Sequence, residues 1–224
     1  MSKLQETDKK YIANTYARFP VDIVSGKGSI LVDADGKEYI DMGSGIGVTV
    51  FGNGDEQWIK AVTDQLSKVQ HTSNLYYTDP CAKLAMLMCE KTGMKKVFFG
   101  NSGAEANECA IKAARKYASI KKGSGYSTII TLKNSFHGRT LTTLSATGQD
   151  HYHELYQPLT PGFAYAEPGD IEGFKELALN VKAAGVLMEC IQGEGGVNVM
   201  DKDFVKAVAD FCKQEDIVLM IVIL

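Results

Sequence analysis

The stretch "VFFGNSGAEANECAIKAARKY", residues 97–117, carries two hydrophobic patterns joined by a short loop without bulky side chains. The apolar run at 97–99 predicts a buried strand, and the residues after the loop recur at helical spacing. The predicted core face of that helix carries Ala106, Ala110, Ala113, Ala114 and Tyr117. A strand that leads directly into a helix is the repeating step of a parallel α/β sheet.

The same alternation runs through the rest of the chain. Apolar strands are predicted at 128–132, 163–166, 185–191 and 217–224, with helices after Asp170 and over 201–214. Upstream, the pattern predicts a hairpin at 28–42, a helix over 57–69 and a helix from Asp79 to Gly93. Near-continuous apolar strands predict an α/β fold in three layers, α/β/α, with a mainly parallel sheet covered on both faces.

The loop between 97–99 and the helix has two interpretations. Ser102 or Asn101 caps the helix and the small residues form a tight turn, as in many structural connections. Alternatively, the small side chains let an anion reach backbone N–H groups at the helix start, where unpaired donors and the helix dipole favour negative charge.

Composition favours small-molecule chemistry. The 224 residues are 45% hydrophobic, which is enough for one large or two small domains. The 24 Lys and Arg nearly balance the 27 Asp and Glu, and no long basic tract suggests a nucleic acid or a membrane as partner. Because "MSKLQETDKK" lacks a signal-peptide core and no apolar run is long enough to cross a bilayer, a cytoplasmic location is expected.

Cysteine and histidine patterns do not predict a metal site. The five cysteines are odd in number and widely spaced, without a CxxC pair, so reduced core thiols are expected. The one grouping with metal-binding side chains is His151, His153 and Glu154. A closed structural site needs four ligands, and no metal is expected here.

Three unusual loops follow predicted strands, so all three are expected at one edge of the sheet, where α/β proteins bind ligands. They are "GNSGAEAN" (100–107), "KNSFHGRT" (133–140) and "QGEGG" (192–196). Phe136 is either core packing or a platform for a flat cofactor, and Arg139 is either a solvated charge or a fork for a carboxylate. Glu194 is an exposed loop carboxylate unless an Arg meets it. Neither GxGxxG nor the Walker pattern occurs.

Together, "NSGAEAN", "FHGRT" and "IQGEGG" resemble the class III aminotransferases of fold type I, which use pyridoxal 5'-phosphate (PLP). The resemblance extends from about Tyr16 to Leu224. It implies that residues 1–55, with the hairpin, belong to a small domain and that 56–224 form part of the PLP-binding large domain. It also implies a homodimer.

The resemblance implies a set of cofactor-binding residues. The backbone at 102–104 holds the PLP phosphate, Phe136 stacks on the pyridine ring, and Glu189 with Gln192 supports the cofactor. His137 and Gly138 shape the turn that places Phe136. The implied cofactor-binding residues are therefore Ser102, Gly103, Ala104, Phe136, His137 and Glu189.

Substrate residues follow from the same resemblance. Arg139 binds the substrate α-carboxylate, and Glu194 is the carboxylate that frees or blocks a carboxylate-binding Arg as two substrates alternate. The segment at 44–47, "SGIG", is neutral where relatives that act on ornithine place a Tyr. This favours N-acetylornithine or a similar acylated donor, with 2-oxoglutarate as acceptor, as in arginine biosynthesis. Ornithine or 4-aminobutyrate is the alternative donor.

The chain departs from the family pattern in three places. "FGNGDEQW" (51–58) replaces a stretch with two His, and Cys190 replaces a Pro. Val222 stands where the family has an Asp that pairs with the pyridine nitrogen, and the Schiff-base Lys and the C-terminal half are absent. The sequence is therefore expected to be an N-terminal half without a catalytic residue, inactive as given. The alternatives are an inactive fragment that binds PLP or a subunit, and an unrelated α/β enzyme that uses a phosphorylated ligand.

Overall fold

The structure, a computed structural model, describes residues 1–223. The chain divides into two compact units, Met1–Leu87 and Met88–Leu224, and the division falls inside a helix. The domain boundary predicted from the sequence, between residues 55 and 56, lies within the first unit and remains a prediction. Among the residues the structure describes, no helix is both long and apolar enough to cross a membrane.

The first unit contains a three-stranded antiparallel sheet, in the order β1-β2-β3, and short helices. The predicted hairpin is confirmed as β2 and β3, and its turn is held by the Asp33 carboxylate, which accepts from the backbone of Asp35 and Lys37 at 3.0 and 2.9 Å. Strand β1 was not predicted. The elements are α1 (Lys3–Tyr11), β1 (Ile23–Lys27), β2 (Ile30–Asp33), β3 (Glu38–Ile40), α2 (Ser44–Gly47), α3 (Glu56–Leu66) and α4 (Asp79–Thr92), the last of which spans the division.

The second unit is built on a four-stranded sheet in the order β5-β4-β6-β9, in which every pairing is parallel. This confirms the predicted mainly parallel sheet. The elements are α5 (Gly103–Lys122), β4 (Thr128–Leu132), α6 (Leu141–Ala146), β5 (Phe163–Ala166), α7 (Ile171–Asn180), β6 (Ala183–Glu189), β7 (Ile191–Gln192), β8 (Asn198–Val199), α8 (Lys202–Gln214) and β9 (Val218–Val222).

Two apolar clusters lie on opposite faces of this sheet and make the three layers. On one face, Phe174 of α7 and Phe204 of α8 pack with Ile130 and Val186. On the other face, Ile111 and Ala114 of α5 pack with the alternate strand residues, including Leu187. All seven residues of β6 are buried because both faces of this central strand are covered.

Two sequence predictions are corrected. Residues 97–99 do not form a buried strand: Phe98 is 63% exposed, and the segment pairs with no strand of the described part of the chain. An apolar run becomes a strand only when a neighbour satisfies its backbone donors and acceptors. The core face of α5 carries Asn107, Ile111, Ala114 and Ala118. Of the five predicted positions only Ala114 is buried, because the true face lies one residue, about 100°, around the helix.

The packing of α5 on the sheet predicts unequal losses of stability at two adjacent alanines. A methyl group built on Gly185 would lie 3.0 Å from the Ala114 Cβ, so Ala114→Leu forces the helix away from β6. We expect a loss of about 1–3 kcal/mol in the free energy of unfolding. Ala113→Leu, at an exposed site in the same helix, should change it by less than about 0.5 kcal/mol. Equal losses in urea unfolding would contradict the assigned face.

Candidate functional site

The candidate site lies at the carboxyl ends of β4 and β6, where the loops 133–140 and 190–196 leave the sheet. The backbone N–H of Phe136 donates to Oε2 of Glu189 at 3.0 Å and joins the two loops. At the far end of the first loop, the hydroxyl of Thr140 donates to Glu108 of α5 at 2.6 Å. The loop is therefore fixed to a strand at one end and to α5 at the other.

The start of α5 is capped by side chains, and two backbone N–H groups of its first turn are without an acceptor in the described part of the chain. Ser102 is the N-cap, and its hydroxyl oxygen accepts from the backbone N–H of Glu105 at 3.2 Å. The Glu105 carboxylate reaches back and accepts from the backbone N–H of Asn101 at 2.6 Å. Within residues 1–223, the N–H groups of Gly103 and Ala104 have no acceptor. The capping interpretation is therefore confirmed, whereas the anion interpretation stays a prediction, for which these two N–H groups are the candidate donors.

Gly138 brings the loop of Phe136 against the start of α5. Its φ is +130°, and a Cβ at this position would lie 2.9 Å from the Ala104 Cβ and 2.6 Å from the Thr143 hydroxyl oxygen. The side-chain amide of Asn107 holds the same contact by donating to the carbonyl of His137 at 2.8 Å. Only a residue without a side chain fits this approach, because the backbone angle and the space both exclude a Cβ.

His137 is a buried, neutral imidazole. The residue is 2% exposed, and neither ring nitrogen has a hydrogen-bond partner among the described residues. Burial lowers the pKa of His137 from 6.5 to about 4. Its backbone N–H donates to the Thr147 hydroxyl at 3.0 Å. The residue thus fixes the loop through its backbone, and its role in placing Phe136 stays a prediction.

Glu189 is the buried carboxylate of the site. It is 1% exposed, Oε2 accepts from Phe136, and Oε1 has no partner in the part of the chain described. Burial raises the pKa of this carboxyl, and the Phe136 N–H opposes that effect. Glu189 pairs in register with Val222 of β9, so Val222 lies beside it at the carboxyl edge of the sheet.

Arg139 and Glu194 are both exposed, and a tyrosine lies between them. The Arg139 guanidinium is 4.3 Å from the ring centroid of Tyr152 and 5.5 Å from that of Phe136. The Tyr152 hydroxyl donates to Oε1 of Glu194 at 2.5 Å, and the Gln149 amide donates to Oε2 at 2.7 Å. These two donors, Gln149 first, lower the pKa of Glu194. Among the ion pairs of the described residues, none joins Arg139 to Glu194.

Sequence reasoning missed three residues of this arrangement: Glu105, Gln149 and Tyr152. Glu105 has a local signal, because a Ser followed three residues later by a Glu is the sequence signature of a capping box. In the structure the Ser102 half of the box is present, and the Glu105 carboxylate accepts from Asn101, one residue before the cap. Gln149 and Tyr152 have none, because they are 45 and 42 residues from Glu194 in the chain. Their roles appear only when the loops are placed in space.

The predicted metal-like grouping has other contacts. The Nε2 atom of His153 lies 2.9 Å from the carbonyl oxygen of Leu144. Residues 1–223 contain no cluster of three or more potential ligands positioned to hold a metal ion.

The chain is similar to known proteins in sequence and in structure. The family described as Aminotransferase class-III matches residues 11–222. The chain is 47% identical over 219 residues to the acetylornithine aminotransferase of Haemophilus ducreyi, and this alignment covers 98% of the chain and 56% of that protein. It is 48% identical over 215 residues to the acetylornithine aminotransferase of Methanocaldococcus jannaschii, an alignment that covers 96% of the chain and 54% of that protein. The chain therefore spans about half the length of the curated relatives it matches.

Solved structures agree in fold. The ornithine aminotransferase of Toxoplasma gondii superimposes with a TM-score of 0.90 at 30% identity, covering 97% of this chain and 52% of that one. That protein was crystallised in the presence of oxidised glutathione and shows partial occupancy of PLP at its active site. The fold neighbour confirms that the sheet and its layers are those of a PLP-dependent transferase large domain.

The buried imidazole predicts a pH dependence of stability. The unfolded chain takes up a proton at His137 near pH 6.5, whereas the folded chain takes it up only near pH 4. The neutral, buried His137 is therefore fully compatible with folding above pH 6.5. As the pH falls toward 4, its protonation in the unfolded chain lowers the free energy of unfolding by up to about 3 kcal/mol. Urea unfolding between pH 7 and 4.5 should show a shallower loss in His137→Phe than in the unmodified chain.

The control for this measurement is His71→Gln, at an exposed histidine of the first unit. It should keep the pH dependence of the unmodified chain. If His137→Phe also keeps it, the imidazole is not held neutral by the fold.

Proposed function

The chain belongs to the class-III aminotransferases, and on that premise we propose that it supplies the cofactor-binding and carboxylate-binding part of a PLP-dependent transaminase. The proposed reaction transfers an amino group from N-acetylornithine, or a similar acylated diamino acid, to 2-oxoglutarate. The observation that carries the proposal is the contact of Gly138, two residues after Phe136, with Ala104 at the α5 start, where two amides have no acceptor among the described residues.

The residues present fit the phosphate of PLP. Gly103 and Ala104 offer N–H donors at the N-terminus of a 20-residue helix, where the dipole adds to the attraction for an anion. Gly103 leaves open space at its Cα, since a Cβ built there meets no atom within 4 Å. Phe136 is half-buried, precedes the Gly138 contact by two residues and would lie against the cofactor ring. Among the described residues, the buried Oε1 of Glu189 has no partner.

When bound, PLP supplies the electron sink for the charge that develops at the substrate Cα. The chain's own residues bind and orient. Gly103 and Ala104 hold the phosphate, Phe136 restrains the ring, and the buried Glu189 fixes the Phe136 loop through its backbone N–H. His137 keeps the turn rigid without adding charge, because its pKa lies well below neutral pH.

Arg139 is proposed to bind a substrate carboxylate. Its guanidinium lies against two aromatic rings, has no carboxylate partner among the described residues, and is exposed. A planar guanidinium held in this way can donate two parallel hydrogen bonds to one carboxylate. Glu194 is proposed as the carboxylate that frees or blocks a carboxylate-binding Arg as the two substrates alternate. Hydrogen bonds from Gln149 and Tyr152, and to a smaller extent the charge of Arg139, lower its pKa and keep it ionised for that role.

The amino donor is assigned from the relatives. The two curated relatives at 47% and 48% identity are acetylornithine aminotransferases, whereas the ornithine aminotransferase neighbour is 30% identical. The neutral segment at 44–47 agrees with an acylated side chain and supports this donor over ornithine or 4-aminobutyrate. A cytoplasmic homodimer, with residues 1–55 in a small domain and 56–224 in the large one, belongs to the same proposal.

We further propose that these 224 residues by themselves bind PLP without transaminating. Val222, beside Glu189, places no anion at the edge of the sheet. Lys133, at the start of the Phe136 loop, is paired with Glu167, and Lys112 and Lys116 are exposed on α5. None of these three lysines is therefore proposed to move a proton at the substrate Cα.

The phosphate role of the α5 start can be tested by removing a single N–H. Gly103 is the first helical residue, where proline fits, and Ser102 already has the extended backbone that precedes a proline. Gly103→Pro should therefore keep the helix but weaken PLP binding about tenfold or more, because a charge-assisted hydrogen bond is lost. Equilibrium dialysis measures the affinity.

Gly103→Ala is the matched control, because it adds a side chain into open space and keeps the donor. Pyridoxal without phosphate should bind both variants equally. Equal PLP affinity of the Pro and Ala variants would contradict the phosphate assignment.

The proposed inactivity can be tested with the unmodified chain. Borohydride should trap PLP on no single lysine, and the turnover of acetylornithine should match that of free PLP. A rate above that background would contradict the inactivity.

A further inference from the structure

Two consecutive residues of α5, Asn107 and Glu108, hold one loop of the site on both sides of Arg139. The Asn107 side-chain amide donates to the His137 carbonyl at 2.8 Å. The Thr140 hydroxyl donates to Oε1 of Glu108 at 2.6 Å. These two loop residues lie two positions before and one position after Arg139. The backbone that carries the guanidinium is therefore attached to a single helix at both of its ends.

We propose that Asn107 and Glu108 are positioning residues that set where the Arg139 guanidinium meets a substrate carboxylate. The inference rests on the proposed function, since that function assigns the carboxylate to Arg139. The N–H groups proposed to bind the PLP phosphate, those of Gly103 and Ala104, begin the same helix. Because a helix is rigid, with a rise of about 1.5 Å per residue, anchoring the loop one turn further along fixes the spacing between the two ligand groups.

Thr140 is itself held firmly, as the N-cap of α6. Its backbone N–H donates to the Thr143 hydroxyl at 3.1 Å, and its hydroxyl oxygen accepts from the Thr143 backbone N–H at 3.1 Å. The hydroxyl proton is donated to Glu108, and a hydrogen bond from a hydroxyl to a carboxylate is stronger than one between neutral groups. Glu108 therefore ties α5 to the start of α6 as well as to the loop.

Both anchoring side chains are committed to this loop. Within residues 1–223, Glu108 belongs to no ion pair, and the Thr140 hydroxyl is its one side-chain hydrogen-bond partner. Asn107 is 9% exposed, and its amide makes its one side-chain bond in that range to the His137 carbonyl. Adjacent residues of a helix point about 100° apart, so the two anchors resist rotation of the loop as well as its translation.

The test compares the affinities of the chain for two ligands. Glu108→Ala removes the acceptor of the Thr140 hydroxyl. We expect 2-oxoglutarate to bind this variant roughly tenfold more weakly, with PLP affinity changed less than about twofold. Glu108→Gln keeps an oxygen that can accept the same hydrogen bond, and it should restore 2-oxoglutarate binding to within about threefold. Glu176→Ala, at an exposed glutamate of α7, should change neither affinity.

A second variant tests the other anchor. Asn107→Leu is of similar size and cannot donate to the His137 carbonyl, so it should act in the same direction as Glu108→Ala. If Asn107→Leu does not fold, the two Glu108 variants decide the proposal, because Glu108 is less buried than Asn107. Equal losses of PLP and 2-oxoglutarate affinity in Glu108→Ala would mean that Glu108 is structural only, and would overturn the proposal.

A ligand-free readout separates this proposal from the proposed function. The NMR resonance of the Arg139 Nε–H should shift in Glu108→Ala and keep its position in Glu108→Gln and Glu176→Ala. If it does so but 2-oxoglutarate does not bind the unmodified chain, the positioning role stands and the substrate role of Arg139 fails. If the resonance does not move in Glu108→Ala, or if it moves equally in Glu108→Gln, the proposal is overturned.

Discussion

The close approach of Gly138 to the first turn of α5 is the constraint on which the site depends. A single Cβ at Gly138 would overlap both Ala104 and Thr143, so the loop keeps its path only with glycine there. The approach fixes the two ends of the site at once. Phe136 precedes the contact in the chain, Arg139 follows it, and Ala104 on its other side belongs to the first turn of α5. A loop that moved outward would separate Gly138 from this first turn.

The electrostatics of the site follow from burial. His137 has lost its charge because it is buried without a partner, and this leaves Arg139 as the cation beside Phe136. The pKa values of the two carboxylates shift in opposite directions: burial raises the pKa of Glu189, while hydrogen bonds from Gln149 and Tyr152 lower that of Glu194. When their environments move the pKa values of two similar groups apart, the two groups can take different roles. Here the buried group fixes the loop, and the exposed one remains free to exchange partners.

The features that the sequence predicted best are those that depend on residues close together in the chain. The β4 and β6 strands, the Ser102 cap and the parallel arrangement follow from local pattern, and all are present. The strand at 97–99 was wrong because strand formation depends on a pairing partner that lies elsewhere. The face of α5 was wrong by one residue because Asn107 is buried by its bond to a carbonyl 30 residues away. The roles of the predicted site residues remain predictions, although four of them, Ala104, Phe136, His137 and Glu189, are brought together.

The central claim is that the α5 start and the Phe136 loop form one cup for the phosphate and ring of PLP. The most direct measurement is a titration of the ¹⁵N-labelled chain with PLP, followed by amide NMR. The account predicts that the largest shifts occur at Gly103 and Ala104, with smaller ones at Gly138 and Phe136. Shifts confined to other residues, such as the lysines at the far end of α5, with Gly103 and Ala104 unchanged, would contradict it.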